Sequence, residues 1–347
     1  MDERIAQVCG EISPPDARVA RMSRMRQLTT ARPAGSLGDL DEILHRIAAI
    51  CGYVPSGVLP SVVSVLAADH GVAQQRTSVF RTEVTRRVLD LIRSGHAPVN
   101  IMADRVPARV ETADFGLRVP LGDERYRVGP GTSDITVTDA MPAAHAVRAV
   151  ENGIGYARDR LSDAAIVAVG EIGIGNTTAS AALAACLLDL PAAALIGPGT
   201  GVDEATVARK QAIVETALAR TRADRNDPLA LLAAVGGYEI AGNVGVILAA
   251  GAAHQIVVID GYITGVAALL AVRMCPTVRH YLIASHQSAE PGHAAVLRAL
   301  GLRPLLALKM RLGMASGAVL ALGLLNTAIA VETATPPART VGLTGAR

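Results

Sequence analysis

The sequence predicts an α/β fold: a parallel β-sheet covered by helices on both faces. Three observations carry this. Short apolar runs recur along the chain, each followed by a polar turn and a longer helical stretch. Alternating strands and helices form parallel sheets, whose strands, buried on both faces, lose the polar alternation of half-exposed ones. Finally, 50% of the 347 residues are hydrophobic, yet aromatics make up only 2% and tryptophan is absent, so the core must be aliphatic. Small aliphatic side chains suit close helix–sheet packing. A chain of this length buries a large core, as one big α/β domain or a main domain with a smaller lobe.

Taken in order, residues 1–50 are expected to be helical. Arg18, Arg21, Arg24 and Arg26 cluster on one face that is most simply solvated. The stretch Ala31-Arg32-Pro33-Ala34-Gly35-Ser36-Leu37-Gly38 breaks this region, because proline and two glycines forbid a regular helix. Strands are predicted at 61–68, 164–169, 192–196, 256–259 and 280–284. Residues 240–259 and 313–331 carry no Asp, Glu, Lys or Arg and are long enough to cross a bilayer. The first turns from Ala/Gly-rich to β-branched at Ile256-Val257-Val258-Ile259, which reads as a helix followed by a buried strand. The second carries Asn326 and reads as an interior helix. Residues 332–347 are expected to form a mobile tail.

Charge is nearly balanced, with 33 Lys plus Arg against 31 Asp plus Glu, so nothing demands nucleic acid. The scarcity of aromatics also removes any stacking platform for single strands. Cys9, Cys51, Cys186 and Cys275 are scattered without a CxxC pair, which points to a reducing compartment and no zinc site. Met1-Asp2-Glu3-Arg4 opens acidic, with no apolar region of a signal peptide. A cytoplasmic protein without membrane partner, metal or cofactor is therefore expected.

The densest chemistry lies in Gly170-Glu171-Ile172-Gly173-Ile174-Gly175-Asn176-Thr177-Thr178. It follows an apolar run and leads into an Ala-rich segment: strand, glycine turn, helix. That order aims backbone N–H groups and a helix N-terminus at an anion. The spacing copies a P-loop, but Asn176 stands in place of the lysine that spans a triphosphate. A single phosphate needs only amides and the Thr177 and Thr178 hydroxyls. Other polar turns follow the predicted strands: Asp69-His70-Gly71, Gly197-Pro198-Gly199-Thr200-Gly201, Asp260-Gly261, and Ser285 through His293. Ligands collect at the carboxyl edge of such sheets, so five turns on one edge point to a small-molecule site.

Single residues leave alternatives open. Asp69-His70 is either an acid–base pair or a cap with a locally packed histidine. His286 and His293 flank Glu290, but the Pro291-Gly292 break argues against a metal-ligating helix. Lys210 reaches a phosphate or is solvated. Glu171 stands out because a turn needs no carboxylate, and Glu239 after Gly236-Gly237-Tyr238 is a weaker case of the same kind.

Together these strings resemble the nicotinate-nucleotide:dimethylbenzimidazole phosphoribosyltransferase family, over about residues 20–331. The resemblance rests on Pro-Ala-Gly-Ser-Leu-Gly (33–38), Ala-Ala-Asp-His-Gly-Val (67–72), Gly-Pro-Gly-Thr-Ser-Asp (129–134) and the glycine turn 170–178. It continues through Gly-Thr-Gly-Val-Asp (199–203), Val-Gly-Gly-Tyr-Glu-Ile-Ala (235–241), Ser-His-Gln-Ser-Ala-Glu-Pro-Gly-His (285–293) and Met-Arg-Leu-Gly (310–313). It implies a Rossmann-like, three-layer large domain over about 51–299, and a small helical domain built from 1–50 and 300–331. It also implies a homodimer, or a heterodimer with a paralogue. The implied reaction moves phosphoribose from nicotinate mononucleotide to an aromatic base. Gly173, Gly175, Asn176, Thr177, Thr178, Gly201 and Lys210 would hold phosphate and ribose. Ser78, Phe80, Arg87, Leu312 and Gly313 would lie on the acceptor side.

The departures concentrate on that acceptor side. The resemblance places the general-base glutamate after Met-Arg-Leu-Gly, where this chain has Met314, and a thioether cannot take a proton. Lys309 replaces a common acid, Arg81-Thr82 replace Pro-Gln, and Arg87 replaces a glutamine. Pro130 and Pro198 stand where arginines are frequent. An altered acceptor such as a phenol or acidic azole is one consequence, and a nucleotide-binding paralogue is another. If a base survives, Glu171 is the first candidate and Asp69 the second.

Overall fold

A computed structural model describes residues 2–199 and 201–342 of the chain. It opens with helices α1 (Glu3–Glu11), α2 (Ala17–Gln27) and α3 (Asp39–Cys51), followed by strand β1 (Ser61–Ala68). Helices α4 (Glu83–Arg93) and α5 (Pro98–Ala103) lead to β2 (Ala108–Gly116), and α6 (Ala143–Arg160) leads to β3 (Ile166–Ile172). Then come α7 (Asn176–Leu188), α8 (Glu204–Arg220), α9 (Pro228–Val235), α10 (Tyr238–Ala252) and β4 (Ile256–Ile259). The chain continues through α11 (Tyr262–Met274), β5 (Leu282–Ala284), α12 (Pro291–Leu300) and α13 (Ser316–Ala334).

The five strands pair in the order β2-β1-β3-β4-β5, and every pair is parallel. From β1 the chain builds outward to β2, then returns to place β3 on β1's other side. That reversal puts the sheet's topological switch point between β1 and β3. Strands β1 and β4 are buried along their whole length; β4 is wholly apolar and β1 is interrupted only by Ser61 and Ser64. Helices α10 and α11 pack on the sheet with α6 along α10, while α4, α5 and α13 form a second sheet-contacting group. The result is the expected three-layer α/β architecture.

Two strand expectations need correction. Residues 192–196 are no strand: Ala192–Ala194 form a single 3-10 turn after Pro191. Alanine has little strand preference, and the preceding proline starts a turn readily. The strand that completes the sheet is β2, whose Arg109, Glu111 and Thr112 conceal it in the sequence. It is an edge strand, buried only from Ala113 onward, and charges blunt its edge. Arg109 pairs with Asp163 at 2.6 Å and Arg160 with Glu111 at 2.9 Å.

The apolar segments also find their places. Helix α10 is buried from Tyr238 to Gly251 because it is wedged between the sheet and α6. Helices α6 and α10 approach so closely that a Cβ at Gly153 would overlap the backbone of Gly242. Helix α13 is long and apolar enough to span a bilayer by length and composition, but it packs against β3, β4, α3 and α5.

The tail expectation is corrected over residues 332–342. Glu332 is buried and, with Asp41, brackets the Arg32 guanidinium, each contact being 2.8 Å. Beyond it, Ala31 N donates to Pro336 O and Ala338 N to Thr29 O, both at 2.8 Å. The half-buried cation inside the glycine-proline break thus ties both chain ends together. Residues 343–347 of the expected tail lie outside the described residues.

Candidate active site

A cleft opens at the carboxyl edge of the sheet. It is lined by the turns after β3 (171–177), β4 (260–263) and β5 (His286, Ser288, Glu290), together with Thr77, Ser78, Gly199, Lys210 and Arg311–Gly313. Four of the five polar turns marked in the sequence reach it, among them 197–201 at Gly199, although no strand precedes that one. The turn Asp69-His70-Gly71 does not line it, and Thr200 lies outside the described residues.

One half of the cleft gathers groups that suit an anion. Helix α7 starts at Asn176, and its N-cap, Gly175, has φ +102°, a conformation that favours glycine. The first-turn amides and the positive end of the helix therefore face the cleft. Two cations flank them. Lys210 is buried, with Nζ 3.0 Å from Gly197 O and 3.4 Å from Thr177 Oγ1. Burial lowers its pKa, and nearby Glu290 partly opposes this. Of the two alternatives for Lys210, the solvated one is therefore excluded. The second cation, Arg311, donates to Gly199 O at 3.0 Å and lies beside Gly201, whose φ is +106°. Glu290 accepts from Gly199 N at 2.7 Å, which fixes the loop between the two cations.

Glu171, the penultimate residue of β3, enters the same cleft. Asn176 Nδ2 donates to its Oε2, and its backbone carbonyl accepts from Met314 N at 3.2 Å. Burial first, then the carboxylates of Glu239 and Asp260, raise the Glu171 pKa to about 8, against the Asn176 hydrogen bond. A carboxyl group so poised is protonated near neutrality and is a strong base once ionised. Asp260 has its own task. Its Oδ1 accepts from Gly317 N at 2.7 Å and Ala318 N at 3.0 Å, capping α13.

Other sequence-predicted residues fall elsewhere. Asp69 does not line the cleft. Its carboxylate accepts from Arg118 N at 2.8 Å and its carbonyl from Thr132 N at 2.9 Å, so it clamps the loop after β2. Met314 is buried and also absent from the lining; φ is +57° there and positive again at Gly313 and Ala315. Thr178 is buried beneath the helix start, while Phe80 and Arg87 are exposed outside the cleft. Ser78, Leu312, Gly313, Gly173 and Thr177 do line it. His293 Nδ1 accepts from Ser288 N at 2.9 Å, and burial, followed by the charge of His286, pushes its pKa down to about 3. The sequence reading missed Arg311, Tyr262 and Ser288 as site residues. Arg311 and Ser288 were visible inside the strings 310–313 and 285–293, but Tyr262 carried no signal of its own.

Comparison with known proteins matches residues 12–337 to a family model described as a phosphoribosyltransferase. The nicotinate-nucleotide–dimethylbenzimidazole phosphoribosyltransferase of Desulforudis audaxviator is 43% identical over 327 residues, covering 92% of each chain. That of Halalkalibacterium halodurans is 37% identical over 348 residues, covering 99% of this chain and 98% of the relative. A crystal structure of the nicotinate-nucleotide–dimethylbenzimidazole phosphoribosyltransferase of Thermus thermophilus superposes with a TM-score of 0.88 at 38% identity, covering 95% of this chain and 99% of the other.

Proposed function

The chain belongs to the nicotinate-nucleotide–dimethylbenzimidazole phosphoribosyltransferase family, and from that premise we propose that it moves phosphoribose from nicotinate mononucleotide to an aromatic acceptor. The observation that carries this is a buried carboxylate, Glu171, beside a helix N-terminus flanked by two cations. The first turn of α7, with Lys210 and Arg311, would take the 5′-phosphate. Held there, the nucleotide presents its anomeric carbon to the rest of the cleft.

The bond from C1′ to the pyridinium nitrogen breaks, and its electron pair neutralises the nicotinate ring. The acceptor's ring nitrogen forms the new bond to C1′. Its proton passes to the Glu171 carboxylate, since Met314 has no group to receive it. Because Glu171 titrates near 8, the free enzyme gains its base form as pH rises towards that value. An acceptor that arrives as an anion, such as a phenolate or ionised azole, needs no proton acceptor at all.

The test is incubation of the protein with nicotinate mononucleotide and a panel of dimethylbenzimidazole, phenols and acidic azoles, followed by nicotinate release and product mass. We expect turnover with at least one acceptor. E171Q should lose the reaction with dimethylbenzimidazole and keep it with an ionised phenol. Nucleotide binding by calorimetry without turnover of any acceptor would instead favour a nucleotide-binding paralogue.

A further inference from the structure

Beneath the glycine turn lies an ionisable pair that the transfer reaction does not itself use. His70 Nε2 and Glu239 Oε1 are 2.8 Å apart, and both side chains have 0% exposure. His70 comes from the end of β1 and Glu239 from the first turn of α10. A Cβ at Gly173 would lie 3.1 Å from Glu239 Oε1 and 3.3 Å from the His70 ring, and one at Gly175 would lie 3.1 Å from His70 Cβ. The anion-facing turn thus rests directly on the pair. One turn along α10, Asn243 Nδ2 donates to Glu239 O at 3.0 Å and to Gly170 O at 3.1 Å, joining this helix to the residue before Glu171. Packing alone does not require such a pair, because apolar residues of similar size fill a core at lower desolvation cost.

We propose that His70 and Glu239 are positioning residues of the active site: they fix the glycine turn from below and stand a second carboxylate behind Glu171. The groups that face Glu171 are Glu239 from α10, Asp260 after β4 and Asn176 from α7, with His70 behind Glu239. After burial, Glu239 is the largest contributor to the raised Glu171 pKa. The pair therefore acts twice, on the geometry of the phosphate turn and on the basicity of the proton acceptor.

The inference rests on Glu171 being that acceptor, and the pH dependence of kcat/KM separates the two ideas. E239Q keeps an oxygen to accept from His70 and removes only the charge. Its limb near pH 8 should move down by about one unit, leaving about tenfold more Glu171 ionised at pH 6. E239D, which keeps the charge, should keep the limb. H70A, which removes the support, should weaken nucleotide binding measured by calorimetry by about tenfold or more. If E239Q does not fold, the limb is read in E239M, which also removes the charge. A limb unmoved in E239Q, or in E239M where that replaces it, overturns the proposal, as does unchanged nucleotide affinity in H70A. Normal turnover of E171Q with dimethylbenzimidazole would sink the reading of Glu171 instead.

Discussion

The two halves of the cleft are built to different standards. On the side proposed for the nucleotide the walls are cross-tied: Lys210 to Gly197, Glu290 to Gly199, Arg311 to Gly199, and the glycine turn onto buried His70 and Glu239. On the acceptor side, Phe80 and Arg87 project outside the cleft, and Met314 packs into the core. The difference teaches where preorganisation is needed. A phosphate and its oxocarbenium-like ribose demand fixed charges and amides, whereas a flat aromatic acceptor needs a wall and a route for one proton. In the mechanism proposed above, that route runs through the nucleotide half, at Glu171.

The sharpest way to break this comparison is E171Q. If the only usable base sits on the nucleotide side, kcat with dimethylbenzimidazole should fall by about 10²–10⁴-fold, while KM for the nucleotide stays within about threefold. Steady-state kinetics against both substrates reads this directly. Next in size is K210M, which removes a buried cation. Charge-assisted contacts of this kind correspond to a loss of about 10–100-fold in nucleotide affinity, measurable by calorimetry.

On the acceptor side, M314A should behave as a core truncation. We expect about 2–5 kcal/mol lost in denaturant unfolding, with kcat within about threefold of the parent. A large loss of kcat at unchanged stability would move Met314 back into the chemistry. Stability against pH gives a smaller signal. The Glu171 pKa rises from 4.5 to about 8 on folding, so the native state holds the extra proton between those values. Its contribution is fully present below about pH 4.5 and is lost as pH rises through 8. E171Q should flatten that part of the stability profile. The smallest effect belongs to R87A: its side chain lies exposed outside the cleft, so turnover and nucleotide affinity should change by less than about threefold.

What could be read from the sequence follows the same division. Buried parallel strands announce themselves as apolar runs, so β1, β3, β4 and β5 were legible, and so was the turn from Gly170 to Thr178. Edge strand β2 was not, because its outer half carries Arg109 and Glu111 and copies a polar loop. Residues 192–196 misled for the opposite reason, since an alanine run after a proline is apolar without being a strand. At the site, glycines and hydroxyls at strand ends marked the anion half. Distance in sequence hid the remainder: Arg311 joins Gly199 across 112 residues, and Arg32 meets Glu332 across 300. No local pattern encodes such pairs, and the same holds for Asp69, whose role became visible only once Arg118 and Thr132 were seen to bond to it.

The most direct measurement is a crystal structure with nicotinate mononucleotide bound. We expect the 5′-phosphate on the first turn of α7 between Lys210 and Arg311, with the anomeric carbon facing Glu171. A nucleotide bound away from that turn, or one whose anomeric carbon faces away from Glu171, would contradict the central claim.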